Sequence, residues 1–241
     1  MATTHRHWYL ALFSAYAVVW LVLAIRPHDR ADWALENVLV LPAVAVLALT
    51  ARRFPFSRVS YTLIVVFLLV HAVGAHYTYS LVPYRDWWRA LTGLVIDPER
   101  NHFDRFAHFG FGLLLAYPVR EIFLRVTQAR GFWGYYLPVD VTMAFSMVFE
   151  LLEWAAAMFF GGGLGVAYLG TQGDPWDAHK DMALATLGAV LAMGLTAFIN
   201  SRLQRDFARE FHDSLRVKEP EPLGEDAIAR MLEERGGKAG S

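Results

Sequence analysis

Acidic and imidazole residues recur one helical turn apart in this 241-residue chain. Asp104 and His108 are spaced i,i+4, as are Asp177 and Asp181, and Glu150 and Glu153 are spaced i,i+3. On a helix, each pair shares one face. Carboxylates and imidazoles are suitable ligands for Zn, Mn, Fe or Mg, and they also serve as general acids and bases. The chain has no cysteine, which excludes disulfides, thiolate ligands, Fe–S clusters and cysteine nucleophiles. The lysine and hydroxyl spacing of a phosphate-binding loop is missing, as is a Gly-x-Ser-x-Gly nucleophile elbow.

The elements that must position these pairs are membrane spans. The chain is 56% hydrophobic and 19% charged, against roughly 45–50% and about 25% in soluble domains. Six apolar stretches, near residues 8–25, 33–49, 59–77, 105–126, 133–160 and 180–199, are long enough to cross a bilayer. The expected fold is all-α, a compact bundle of six transmembrane helices over residues 1–200. Residues 201–241 form a cytoplasmic tail with a linker at 218–222 and a short amphipathic helix around Ala227, Ile228, Met231 and Leu232. Trp8, Trp33, Tyr77 and Trp133 fall near span ends, as an aromatic belt requires. No small-residue cleavage site follows the first stretch, which reads as a retained span. Twelve basic residues flank one side of the spans and seven the other, so the positive-inside rule puts both termini in the cytoplasm. A net charge of −1 gives no nucleic-acid signature.

With that topology the polar residues fall at one level. The first two spans carry only Glu36, near an end. Span three ends outside with His71 and His76, and span four starts there with Asp104, Arg105 and His108. Span five carries Glu150 about 21 Å beyond Tyr136 at 1.5 Å per residue, and span six starts outside at 177–181. Each ionisable group within a span costs roughly 2.5–3.5 kcal/mol at its centre, which makes function the default reading. Five carboxylates converging in a low-dielectric setting repel unless protonated or neutralised, and a divalent cation is the simplest neutraliser. Metal-holding bundle cores use the same arrangement.

Asp104, His108, Glu150, Glu153, Asp177 and Asp181 are therefore the expected metal ligands, with Asp104, His108, Glu150 and Glu153 as acid and base. His76, Arg105 and Asp174 would touch substrate or steady the ligands, Arg105 by meeting an anionic head group. Each has a plainer alternative. Asp104 and His108 could form an interfacial cap beside Arg105, and Asp174 and Asp177 a turn and an N-cap around Pro175. Asp181 suits a first helical turn, and the histidines could be hydrogen-bonded structural groups. Glu121 and Asp140 are expected to pair with Arg120 or Arg125. The glycine-rich stretch 161–177 suits a loop folding over a site, or an ordinary connection. The run Tyr84-Arg85-Asp86-Trp87-Trp88-Arg89 ahead of 90–96 suits an interfacial helix or an aromatic loop.

Four stretches carry a family resemblance: His71-Ala-Val-Gly-Ala-His76-Tyr77-Thr78-Tyr79, Asn101-His-Phe-Asp104-Arg105-Phe-Ala-His108-Phe109-Gly110, Glu150-Leu-Leu-Glu153-Trp154, and Gly170-Thr-Gln-Gly-Asp174-Pro-Trp176-Asp177-Ala-His-Lys-Asp181-Met182. Over roughly residues 8–200 the chain resembles YjdF-type bacterial inner-membrane proteins. The resemblance implies a polytopic protein of the bacterial inner membrane and no particular reaction. A more distant similarity is to VanZ-like membrane proteins. Asp104, Arg105, His108 and Phe109 match one element, Glu150 or Glu153 a second, and Asp181 with Gly188-Ala189 approximates a third. Thr186 and Leu187 stand where that pattern has Asn. The expected function is a metal-dependent enzyme at the outer leaflet, performing hydrolysis or group transfer on a lipid or lipid-linked substrate among the membrane lipids. The alternatives are an ion or proton transporter and a non-catalytic membrane assembly or sensing protein.

Overall fold

Each apolar stretch becomes a helix whose ends are set by local polar chemistry. The computed structural model describes residues 3–95, 100–218 and 224–238, and its regular elements there are all helical. α1 (Thr3–Ala24) ends where Arg30 donates to the Ala24 and Ile25 carbonyls at 2.7 and 3.0 Å. α2 (Arg30–Thr50) starts at Asp29, whose carboxylate accepts the Asp32 and Ala31 N–H groups at 3.0 and 2.8 Å. Those donors hold the Asp29 carboxyl below the ordinary aspartate range. α3 (Arg58–His76) is capped by Ser57, which accepts the Ser60 N–H. α4 (Tyr84–Thr92) is short and stops at Gly93, with φ +73°. α5 (Phe103–Ile122) runs on into a π-helical turn, Phe123–Thr127. α6 (Trp133–Phe160), α7 (Gly162–Leu169), α8 (Asp177–Leu203), α9 (Phe207–Ser214) and α10 (Glu225–Lys238) complete the order.

The result is an α-helical membrane bundle. α1, α2, α3, α6 and α8 are each long and apolar enough to cross a bilayer. α5 has 20 residues but carries Asp104, Arg105, Arg120 and Glu121 in its end turns. Its position accounts for them: α5 lies at the centre, packed on α3, α6 and, most extensively, α8. Outward-facing Leu21, Leu49, Phe159 and Leu195 are exposed, as a lipid-facing surface requires.

Small residues bring α5 and α8 into backbone contact. Ala116, Ala185 and Ala189 are fully buried. A Cβ added at Gly112 would overlap the Ala185 carbonyl, and one at Gly188 the Phe109 carbonyl. This small-xxx-small packing is how helices approach closely in lipid.

The boundaries differ from expectation where tertiary contacts intervene. α2 starts three residues early because Asp29 caps it. α9 docks on the turn before α6: the Phe132 N–H donates to Ser214 Oγ and the Trp133 indole to the Ser214 carbonyl, both at 2.9 Å. The expected amphipathic tail helix falls within α10. Of the linker, residues 219–222 lie outside the described residues, as do 96–99 after α4.

Candidate functional site

The first turns of α2, α5 and α8 and the distal part of α6 meet at one end of the bundle. Asp104 in α5 faces Asp177 and Asp181, one turn apart on α8, and one carboxylate oxygen from each lies within 4.8 Å of the others. His108, one turn along α5, places Nε2 3.6 Å from Asp104 Oδ1 and 3.3 Å from Glu150 Oε1. Glu150 and Glu153 are both buried on α6, and Glu153 is in electrostatic reach of Asp104, Glu150 and Asp181. All six expected ligands thus gather from three helices.

The acids divide into two classes by partner. Both oxygens of Asp177 face arginines: Arg100 Nη2 is 2.5 Å from Oδ2, and Arg105 Nη2 is 3.3 Å from Oδ1. Asp174 in the loop before α8 binds Lys180 Nζ at 2.5 Å and Arg105 Nη2 at 2.6 Å, and its Oδ1 accepts the Trp176 N–H. The Lys180 ammonium, with the Trp176 N–H and Arg105, holds the Asp174 carboxyl at about 2. Among the described residues, none of these three cations ion-pairs with Asp104, Asp181, Glu150 or Glu153. Asp181 Oδ1 and Glu150 Oε1 are buried with no hydrogen-bond partner among the described residues. His108 is near Glu150 but not aligned to donate to it.

A further acid, Glu36 of α2, borders the site, with Asp32 one turn before it on the same helix. Asp32 and Glu36 are 1% and 5% exposed, and Asp32 Oδ1 and Oδ2 and Glu36 Oε2 have no hydrogen-bond partner. Glu36 lies within electrostatic reach of Asp104 and Glu153. The readable signal was their i,i+4 spacing; Asp32 escaped because the expected span began at residue 33. Arg100 and Lys180 were also unassigned, and only the closed loop reveals their role.

That loop lies over the cluster. Gln172 brackets the Asn101 backbone, accepting its N–H and donating to its carbonyl, both at 3.0 Å. Arg100 donates to the Gly170 and Thr171 carbonyls. Gly170, with φ +60°, backs onto Asp104, where an added Cβ would sit 3.7 Å from Oδ2. That distance leaves room for a Cβ, so it is the left-handed backbone that favours glycine here.

The histidines of α3 are occupied elsewhere. His76 Nδ1 donates to the Leu23 carbonyl at 2.7 Å, tying α3 to the end of α1. His71 Nε2 meets the Glu36 carbonyl at 3.2 Å. A carbonyl only accepts, so Nε2 carries the proton and Nδ1 accepts from Tyr79 Oη at 2.5 Å. Arg105 is likewise spent on Asp174 and Asp177 rather than held open.

The family described as "Predicted membrane protein (DUF2238)" matches residues 8–202. The chain is also 38% identical over 184 residues to "Inner membrane protein YjdF" of Escherichia coli (strain K12), covering 76% of this chain and 86% of that protein. The chain belongs to the DUF2238 family. No solved structure matches it. The DUF2238 match runs from α1 to the end of α8, so every cluster acid lies inside it, while α9 and α10 lie beyond.

Proposed function

We propose that this DUF2238 chain is a metal-dependent membrane enzyme performing hydrolysis or group transfer on a lipid or lipid-linked substrate at the outer face of the inner membrane. The observation that carries the reading is the convergence of Asp104, Asp177 and Asp181 within 4.8 Å, beside unpartnered oxygens on Asp181 and Glu150. Carboxylates this close repel strongly where water is scarce, and the nearby cations are committed to Asp174 and Asp177. Hard cations hold oxygens at about 2.0–2.6 Å, so opposite ligands stand roughly 4–5 Å apart, in keeping with the observed spread. Asp104, Asp181, His108 and one of Glu150 and Glu153 form the donor set. Asp177 retains lone pairs beyond those its arginines use. When bound, the cation supplies Lewis acidity and an acidified water. Whichever of Glu150 and Glu153 stays off the cation would be the group beside it able to take or return a proton.

The basic-residue asymmetry favours the outer face for this end. The charge distribution favours chemistry over translocation. Residues 109–119, 141–149 and 182–199, which lead away from the cluster on α5, α6 and α8, contain no acid, base or histidine. At the far end, Glu121 is tied to Ser60 Oγ, the Ser57 N–H and Arg125.

The direct test is elemental analysis of the full chain purified without chelator. A stoichiometric divalent ion, Zn, Mn, Fe or Mg, is expected, and it should be lost in Asp181→Asn and Glu150→Gln that still fold. Wild-type protein without stoichiometric metal would refute the metal-dependent reading. Lipid profiles of cells with and without the protein identify the substrate.

A further inference from the structure

At the opposite end of the bundle, a cavity of about 270 Å³ opens between the ends of α5 and α8, the start of α6, and α9. Arg120, Arg130, Tyr135, Asn200, Gln204 and Glu210 supply its polar lining. Arg120 is held but not neutralised. Its guanidinium lies over the Tyr135 ring, 4.6 Å from the centroid, and its Nε is buried without a hydrogen-bond partner. Asn200 donates to Tyr135 Oη at 2.8 Å, which fixes the ring. Of the two acids expected to pair with Arg120 or Arg125, Glu121 takes Arg125 as expected, and Asp140 forms no ion pair among the described residues, so neither neutralises Arg120. Arg130 has none there either. Glu210 is the acid of the lining, and its Oε1 accepts the Gly131 N–H at 3.3 Å. Two arginines against one carboxylate leave the cavity net positive.

We infer that this cavity binds a phosphate group, either free or carried on a lipid head group, through Arg120 and Arg130, with Gln204 as a neutral donor. The guanidinium fork matches phosphate oxygens in pairs, and the cavity sits at the end turns of α5 and α8. The inference is independent of the carboxylate site.

The test uses the full chain in two arms. Inorganic phosphate is titrated against detergent-solubilised protein at constant ionic strength, with thermal unfolding as the readout. Native mass spectrometry then scores retention of phosphatidylglycerol against phosphatidylcholine. Saturable stabilisation by phosphate assigns the free anion, and selective retention of phosphatidylglycerol assigns the head group. In either case Arg120→Gln and Arg130→Gln should each weaken binding roughly tenfold, the loss of one charge-assisted contact, and Glu210→Gln should tighten it. Arg130 is exposed, so its variant reports even if Arg120→Gln misfolds. Binding of neither probe, or wild-type binding by Arg130→Gln, overturns the inference.

Discussion

Asp174 and Asp181 lie seven residues apart and meet opposite fates. Asp174 has two cations and a backbone donor, whereas Asp181 is buried with an oxygen unpartnered. Because the folded Asp174 carboxyl is depressed to about 2 from 3.8, its contribution is present above the unfolded value and is lost as pH falls through about 2. Hydrogen exchange over residues 170–176, taken relative to the intrinsic rate at each pH, should therefore be slow at pH 5 and fast near pH 2. Asp174→Asn should give the fast pattern already at neutral pH. For Asp181 the proposed cation sets the expectation. Chelator should lower the Tm of wild-type protein, since a ligand that binds only the folded state stabilises it. The same treatment should leave the Tm of Asp181→Asn unchanged. Equal chelator sensitivity in both would count against Asp181 as a ligand.

Among the elements, the α5–α8 contact is the one that sets the site, because it carries Asp104 and His108 against Asp177 and Asp181. Gly112→Val would drive a branched side chain into the Ala185 backbone. Overpacking of this kind costs about 1–3 kcal/mol, and denaturant unfolding in mild detergent should show at least that loss. Helical periodicity is why much of this was legible in the sequence: pairs spaced i,i+3 and i,i+4 must share faces, and alternating topology brings their ends to one level. Other features depend on contacts that no local pattern encodes. Asp32 was hidden by a helix that starts a turn early at Asp29. The alliance of Arg100 and Lys180 with Asp177 and Asp174 exists only once the loop has closed. His76 found the Leu23 carbonyl, one of the orphan acceptors at a helix C-terminus. The docking of α9 was obscured because residues past 200 have soluble composition, while its anchors are scattered contacts of Ser214, Glu210, Phe207 and Phe211 with residues 131–135.

For the molecule as a whole, the asymmetry of basic residues and an even number of crossings predict both termini in the cytoplasm, with α4 and the carboxylate end outside. A green fluorescent protein fused after Ser241 should therefore fluoresce, and alkaline phosphatase fused after Gly93 should be active; the reverse pattern would invert the orientation. The central placement of α5 also bears on biogenesis. The ribosome delivers this helix before α6 and α8, the two that cover much of its polar face. A nascent chain paused after α5 holds Asp104, Arg105 and His108 in a segment whose own partitioning into lipid is the weakest of the set. Its stable integration is therefore expected to depend on the later translation of α6 and α8, which pack against it.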